Sequence, residues 1–278
     1  AESFRLKHKC ELSVATFQNE LFQKVYPNIK FVKPNTGYEK ECFISYWLGY
    51  YNSGPRSPFD RKDVSLQQLG AGILGFNDYP ETLTKIHVDD SYEIDIKKPY
   101  VTIAVQSTLQ AKYWNADQGW NKVVLYLKEK GYEVVCVDKD QIFGRGNYMN
   151  RAPHGVIGKH NRPLAEIVNI INNSEFFIGL GSGLSWVSWA LKKPTILISG
   201  FSNPKSEFKS LCYRIFNENV CNSCYNRHEL DPGNWTWCPD HENTDRMFEC
   251  TKNISPEKVF EAIDIVRKTK RISLVSDL

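Results

Sequence analysis

Short apolar runs separated by amphipathic stretches of helix length recur along the chain, and the pattern is most regular in its second part. There it predicts strands at 100–106, 133–138, 175–180 and 195–199, with helices at 118–131, 164–173 and 182–192. Strands that are apolar throughout and joined by helical crossovers form a parallel sheet covered on both faces, so the expected architecture is a doubly wound α/β unit. Gly131 suits the left-handed cap that would end the first of these helices, and Ser255-Pro256-Glu257 supplies a cap and a first-turn proline for a last helix over 256–269. Before residue 100 the alternation is rougher: strands at 10–14 and 28–32, helices at 16–26 and 66–74, and an apolar stretch at 42–51. The polar segment 89–98 ends in Lys97-Lys98-Pro99 and reads as a linker, dividing the chain into units 1–98 and 99–278.

Composition narrows the class. Of 278 residues, 41% are hydrophobic and 24% charged, with 15 Phe, 14 Tyr and 7 Trp, values that exclude a disordered or fibrous chain. A net charge of +3, with both signs interspersed, offers no broad nucleic-acid face. The longest apolar window, 176–191, holds three Gly and three Ser and is too short to span a membrane, so a soluble protein is expected. The first residues, Ala-Glu-Ser-Phe-Arg-Leu-Lys, are neither a start methionine nor a signal peptide, so a piece of a longer chain is expected.

In a doubly wound sheet the ligand lies beyond the carboxyl ends of the strands, which directs attention to two strand-to-helix turns. Gly179-Leu180-Gly181-Ser182-Gly183-Leu184-Ser185 follows a strand and opens a helix, where small residues let a phosphate approach backbone N–H groups. Leu184 breaks the G-x-G-x-x-G spacing, so a nicotinamide-type fingerprint fails, and a plain turn and cap stays open. The second turn, Gln106 to Asn115, offers Ser107, Thr108, Lys112 and Trp114; the lysine can neutralise a leaving diphosphate or be a solvated surface residue. Asp138 could hold ribose hydroxyls or cap a turn, and His154 and His160 read as loop residues.

Eight cysteines are unevenly placed. Cys10, Cys42, Cys136 and Cys212 are scattered, whereas Cys221, Cys224, Cys238 and Cys250 form a C-x2-C-x13-C-x11-C group typical of a tetrahedral metal site. His228 or His241 could replace one thiolate, and spacing does not separate zinc from iron. Between the ligands, Asp231-Pro232-Gly233 predicts a turn and Trp235-Thr236-Trp237 an aromatic hairpin, giving a finger over 217–251 with little core of its own.

These motifs, together with Phe176-Phe177-Ile178, Ile198-Ser199-Gly200-Phe201-Ser202, Cys238-Pro239 and Phe248-Glu249-Cys250-Thr251, closely resemble the bacterial autotransporter heptosyltransferases, relatives of the lipopolysaccharide heptosyltransferases. The resemblance runs nearly the whole length. It implies a glycosyltransferase-B fold of two Rossmann-like units, with 1–98 a partial acceptor-side unit and 99–278 the nucleotide-sugar-binding unit. It implies an inverting, metal-independent transfer of heptose from ADP-heptose to serine hydroxyls of an autotransporter adhesin passenger domain, in the cytoplasm, by a large homo-oligomeric ring. Carried onto this sequence, Ser107, Thr108, Lys112, Trp114 and Gly181 to Ser185 would face the nucleotide sugar, and the four finger cysteines would hold a structural iron, with zinc as the alternative. The resemblance also places the catalytic base upstream of Ala1. Within the chain, Glu2, Glu11 and Glu20 do not follow strand ends, and Asp60 and Asp63 are the fallback carboxylates. Two other readings compete: transfer to the lipopolysaccharide core, against which the finger argues, and a metal-finger interaction module, against which the acidic surroundings of Arg214, Arg227 and Arg246 argue.

Overall fold

A computed structural model describes residues 1–48, 59–60, 62–97 and 99–276, with side chains up to residue 269. The amino-terminal part holds helix α1 (Glu2–His8) and a two-stranded parallel pair, β1 (Ser13–Ala15) with β2 (Lys30–Val32), followed by helix α2 (Leu66–Ile73). The segment predicted as a helix at 16–26 keeps only a single 3-10 turn, Asn19–Leu21, inside a run of turns. Leu21 alone of its apolar residues is deeply buried, while Phe17 is exposed, so no continuous stripe is buried that would stabilise a longer helix. In the apolar stretch, residues 43–48 are irregular and exposed, and 49–51 lie outside the described residues.

The second part is built around one parallel sheet of six strands: β3 (Tyr100–Ala104), β4 (Glu133–Cys136), β7 (Ile157–Gly158), β8 (Phe177–Leu180), β9 (Thr195–Ile198) and β10 (Cys212–Ile215). A small antiparallel hairpin, β5 (Ile142–Arg145) with β6 (Tyr148–Arg151), projects between β4 and β7. The spatial order is β10-β9-β8-β3-β4-β7, which in order of appearance is the 6-5-4-1-2-3 arrangement of a complete doubly wound dinucleotide-fold sheet. The order reverses between β3 and β8, so the ligand crevice belongs at their carboxyl ends.

Helices cover both faces, as the apolar pattern requires. Helix α3 (Gly119–Glu129) and the long α8 (Pro256–Ser276) bury Val123, Val124, Leu127, Val259, Ile263 and Val266 against one face. Helices α4 (Leu164–Asn172) and α5 (Gly183–Ala190) bury Ile167, Ile170 and Ile171, with Leu184 and Val187 half-buried, against the other. Burying each such aliphatic side chain stabilises the fold by ~1.5–3 kcal/mol before conformational entropy is charged. The strand at β10 escapes the apolar pattern because Arg214 points inward to a buried ion pair.

The polar segment before β3 lies against the sheet unit. Tyr92, Ile94 and Ile96 pack on the α4 side, the Asp89 backbone N–H donates to Asn169 Oδ1 at 2.9 Å, and Glu81 accepts from the Lys209 and Ser210 N–H groups. Two short helices, α6 (Cys224–Arg227) and α7 (Glu249–Lys252), carry Cys224 and Cys250, whereas Cys221 and Cys238 lie in irregular segments. Between α6 and α7 the chain runs in turns; the expected hairpin at 235–237 does not form, because Trp235 and Trp237 turn inward to separate apolar partners instead of pairing backbone.

Candidate functional site

At the switch point the carboxyl ends of β3 and β8 open into a cleft of about 100 Å³. Lys112 enters it from the loop after β3, Gly181 and Trp186 from the turn after β8, and Phe201, Ser202 and Glu207 from the loop after β9. Tyr225 and Leu230 of the finger and Leu66 of α2 close it. A larger cavity of about 280 Å³ lies among Lys97, Lys128 and Tyr132, at the amino-terminal end of β4. It is away from the strand ends where this sheet type binds ligands, so it is not the donor site.

Lys112 ends a 3-10 turn, Gln110–Lys112, that follows β3. Its ammonium lies 5.4 Å from the Phe201 ring centre, and among the described residues no hydrogen-bond acceptor or ion-pair partner reaches it. Burial holds its pKa below that of an ordinary lysine, and the negative charge of Glu207 opposes that effect. Three unspent N–H donors on a desolvated cation form a site for an oxyanion.

The turn after β8 supplies the other half. The Ser182 side chain does not cap α5, so the helix begins with its first-turn N–H groups unspent by a cap, where the dipole favours negative charge. Gly183 has open space where a side chain would be, which leaves the backbone accessible. Ser185 is spoken for: its hydroxyl donates to the Leu180 carbonyl at 2.5 Å and fixes the turn from inside. Leu184 packs into the α4 side core.

In the loop after β3, Ser107 is buried with its hydroxyl unpartnered, and Thr108 is exposed beside it. Trp114 does not reach the cleft. It is 4% exposed, donates its indole N–H to the Ile254 carbonyl at 2.9 Å and packs edge-on to Trp120, which makes it a core residue beneath α8. Asp138 is likewise structural: its carboxylate accepts from the Val105 and Gln106 N–H groups at 2.7 and 3.1 Å and staples the end of β3 to the end of β4. His160 meets the Asp138 carbonyl through Nδ1, and His154 is exposed. Asp60 and Asp63 are exposed and do not line the cleft.

Glu207 is the residue that sequence reasoning missed. It is 5% exposed, forms an ion pair with Arg214 and accepts the Ser202 hydroxyl at 2.6 Å. A side chain at position 181 would start 2.9 Å from Glu207 Oε1, so glycine there is what admits the carboxylate to the cleft. The only sequence signal was the pairing of an acid in the loop after β9 with Arg214 in an otherwise apolar strand.

The finger is built onto this cleft. One apolar cluster joins Leu109 and Ala111 of the lysine loop to Phe201, Cys224, Tyr225, Trp237, Cys238, Met247 and Phe248. The Gln110 N–H donates to the Trp235 carbonyl at 3.0 Å, and Asn115 Nδ2 donates to the Thr251 hydroxyl at 2.9 Å. Gly200 abuts the Cys250 backbone so closely that a Cβ would come within 2.6 Å of it. The four thiols are free of disulfides. Two groups of donor atoms lie within 4.8 Å of one another, Cys221–Cys224–Asp240 and Cys221–His241–Glu249. Neither group gathers all four sulfurs, and Cys238 and Cys250 stand outside both. Burial raises the thiol of Cys250 to about 12, with the neighbouring Cys238 and Cys221 adding to it, and burial also raises Cys224, next to Cys221 and Cys250. Arg227 lies on this group, 3.4 Å from Cys221 Sγ and 2.5 Å from Asp240 Oδ2. His228 pairs with Asp240 through Nε2 at 2.9 Å. Four free thiols, three of them buried, fit a soft cation, which would hold them as thiolates.

Residues 76–229 match the model of glycosyltransferase family 9, the heptosyltransferases. The autotransporter heptosyltransferase Aah of Escherichia coli is 40% identical over 266 residues, covering 93% of this chain and 67% of that protein. The chain belongs to glycosyltransferase family 9. The crystal structure of the dodecameric iron-containing heptosyltransferase TibC in complex with ADP-D-beta-D-heptose superposes with a TM-score of 0.88 at 39% identity, over 96% of this chain and 71% of that one. A relative from Burkholderia thailandensis, 31% identical over 95% of this chain and 63% of its own length, is described as the inactive autotransporter heptosyltransferase BimC. As a family 9 member the chain is a glycosyltransferase of the heptosyl-transferring class with a parallel α/β fold, and no described helix is long and apolar enough to cross a membrane.

Proposed function

We propose that this family 9 chain carries the donor side of an autotransporter heptosyltransferase, which moves heptose from ADP-heptose to serine hydroxyls of an adhesin passenger domain in the cytoplasm. The observation that carries the reading is the unpartnered Lys112 ammonium in the cleft it shares with the uncapped start of α5. The diphosphate would lie between them, close to Ser107, Thr108 and the backbone of Gly181 to Ser185. In the transfer the serine oxygen attacks the anomeric carbon with inversion while a base takes the serine proton. The bond from that carbon to the β-phosphate oxygen breaks, and ADP leaves with the electron pair. Lys112 and the helix amides act on the charge that develops on ADP. Glu207 is bound to Arg214 and Ser202 and is not free to be the base.

The finger cysteines Cys221, Cys224, Cys238 and Cys250 are proposed to hold one iron, whose role is to fold the finger against the lysine loop. The parallels with the iron-containing, dodecameric TibC support this and a homo-oligomeric ring. A family member can keep the fold without activity, so the deciding test is turnover. The chain, ADP-heptose and a serine-rich adhesin passenger are incubated, and the acceptor is weighed by mass spectrometry, alongside calorimetry with ADP. A mass gain places the base within these 278 residues, and tight ADP binding without one leaves the donor site standing with the base outside them. Absence of ADP binding removes both.

A further inference from the structure

The cleft around Lys112 contains a second charge that the transfer itself does not consume. Five stretches of chain wall it, and the titratable groups they present are few: Lys112 from the loop after β3, Glu207 from the loop after β9, and Tyr225 from α6. The turn after β8 and α2 present Gly181, Trp186 and Leu66, which carry no charge. Asp138, at the end of β4, is turned to the Val105 and Gln106 N–H groups. Behind Glu207 stands Arg214, 10% exposed, with Nη1 buried and unpartnered.

We infer that Glu207 is a positioning residue of the donor site: anchored by Arg214 and Ser202, and admitted by the missing side chain at position 181, its carboxylate keeps Lys112 a cation for the diphosphate. The inference rests on the donor reading above. Three features carry it. The carboxylate is fixed, because Ser202 Oγ holds Oε1 at 2.6 Å and Arg214 holds Oε2. It is close to the glycine turn, since a Cβ at 181 would lie 2.9 Å from Oε1. It is not spent on Lys112 through a direct contact, so the ammonium keeps its donors for a ligand while feeling the negative charge. Without a counter-charge, burial would lower the pKa of this lysine further and weaken its attraction for phosphate. Arg214 in turn holds the carboxylate in place and out of the way, and glycine at 181 is a steric requirement of the arrangement.

The test is calorimetry with ADP across pH 6.5–9.5 on the wild type, Glu207→Gln and the double variant Glu207→Gln with Lys112→Arg. In the wild type the affinity falls with rising pH as Lys112 gives up its proton. Without the carboxylate, the fall should come at least about one pH unit lower, a loss that approaches about tenfold at pH values above the wild-type midpoint. Arginine stays protonated throughout, so the double variant should bind with no such fall. Equal midpoints in wild type and Glu207→Gln overturn the inference. Because Glu207→Gln leaves Arg214 buried without its partner, the same series is run with Arg214→Met added, which removes both charges. Acylation of Lys112 in the wild-type protein, followed by mass spectrometry against pH, gives an independent reading. A midpoint well above neutrality supports the inference, and one below neutrality overturns it. If the wild type binds no ADP, the donor reading fails, and the acylation profile still decides the charge of Lys112.

Discussion

Replacing Lys112 by Met removes the ammonium and keeps an unbranched apolar stem of similar reach. The structure predicts opposite effects on binding and on stability. In the folded protein, no acceptor or ion-pair partner among the described residues reaches the ammonium, and burial disfavours its charge. Its lowered folded-state pKa means the unfolded chain binds the proton more tightly. In the wild type, stability therefore rises with pH through the window between the lowered value and the ordinary lysine range, and Met abolishes that slope. At neutral pH the desolvation of the charge is a cost that Glu207 only partly offsets, so Lys112→Met should leave stability unchanged or raise it. Against ADP the same group makes a charge-assisted contact worth about 1.5–3 kcal/mol, so affinity should fall about 10- to 150-fold. The two assays are calorimetry with ADP and denaturant unfolding, both at neutral pH. Affinity within twofold of the wild type refutes the placement of the diphosphate. A loss of stability above about 1 kcal/mol refutes the claim that the ammonium has no structural partner.

Gly181→Ala should displace Glu207 and cost about 1–3 kcal/mol of stability with weakened ADP binding, whereas Gly183→Ala, which meets nothing within 4 Å, should be tolerated; thermal unfolding and calorimetry on the pair check the contrast. Trp235→Ala removes a 7% exposed ring packed against Tyr113 and Phe143, and should cost about 3–5 kcal/mol and loosen the lysine loop, read as a lower melting temperature with weaker ADP binding. Purified protein should carry about one iron per chain with visible thiolate charge-transfer absorption, and Cys250→Ser should lose both along with the order of the finger; stoichiometric zinc in a colourless protein would keep the site and change the metal. Chelation of the wild type should weaken ADP binding, because Leu109 and Ala111 share one apolar cluster with Cys224 and Cys238; unchanged affinity in metal-free protein would uncouple finger and cleft.

What the sequence determined on its own is what depends on local pattern. Strands β3, β4, β8 and β9 are apolar along their length, so they could only be interior strands of a covered parallel sheet, and helices of 3.6-residue period between them follow. Lys112 and the Gly181 turn were singled out because both lie at carboxyl ends of such strands, and the cysteine group because its spacing suits a metal site. The short elements were not. β10 alternates with an inward Arg214, β7 is two residues long, and the segment 16–26 has the composition of a helix without a surface to bury it.

The site's chemistry was decided by tertiary structure, because it depends on what meets across long sequence separations. Trp114 has the makings of a base-stacking plane, yet α8 covers it; Asp138 resembles a ribose ligand, yet its oxygens are taken by two backbone N–H groups of the neighbouring strand end. Glu207 carries no motif at all. Its role exists because the loop after β9 folds back over a turn that has no side chain in the way, with Arg214 from the edge strand to hold it. Periodicity records which face of an element is buried, but a buried polar group is defined by its partner, and only the packed sheet brings the partner within reach.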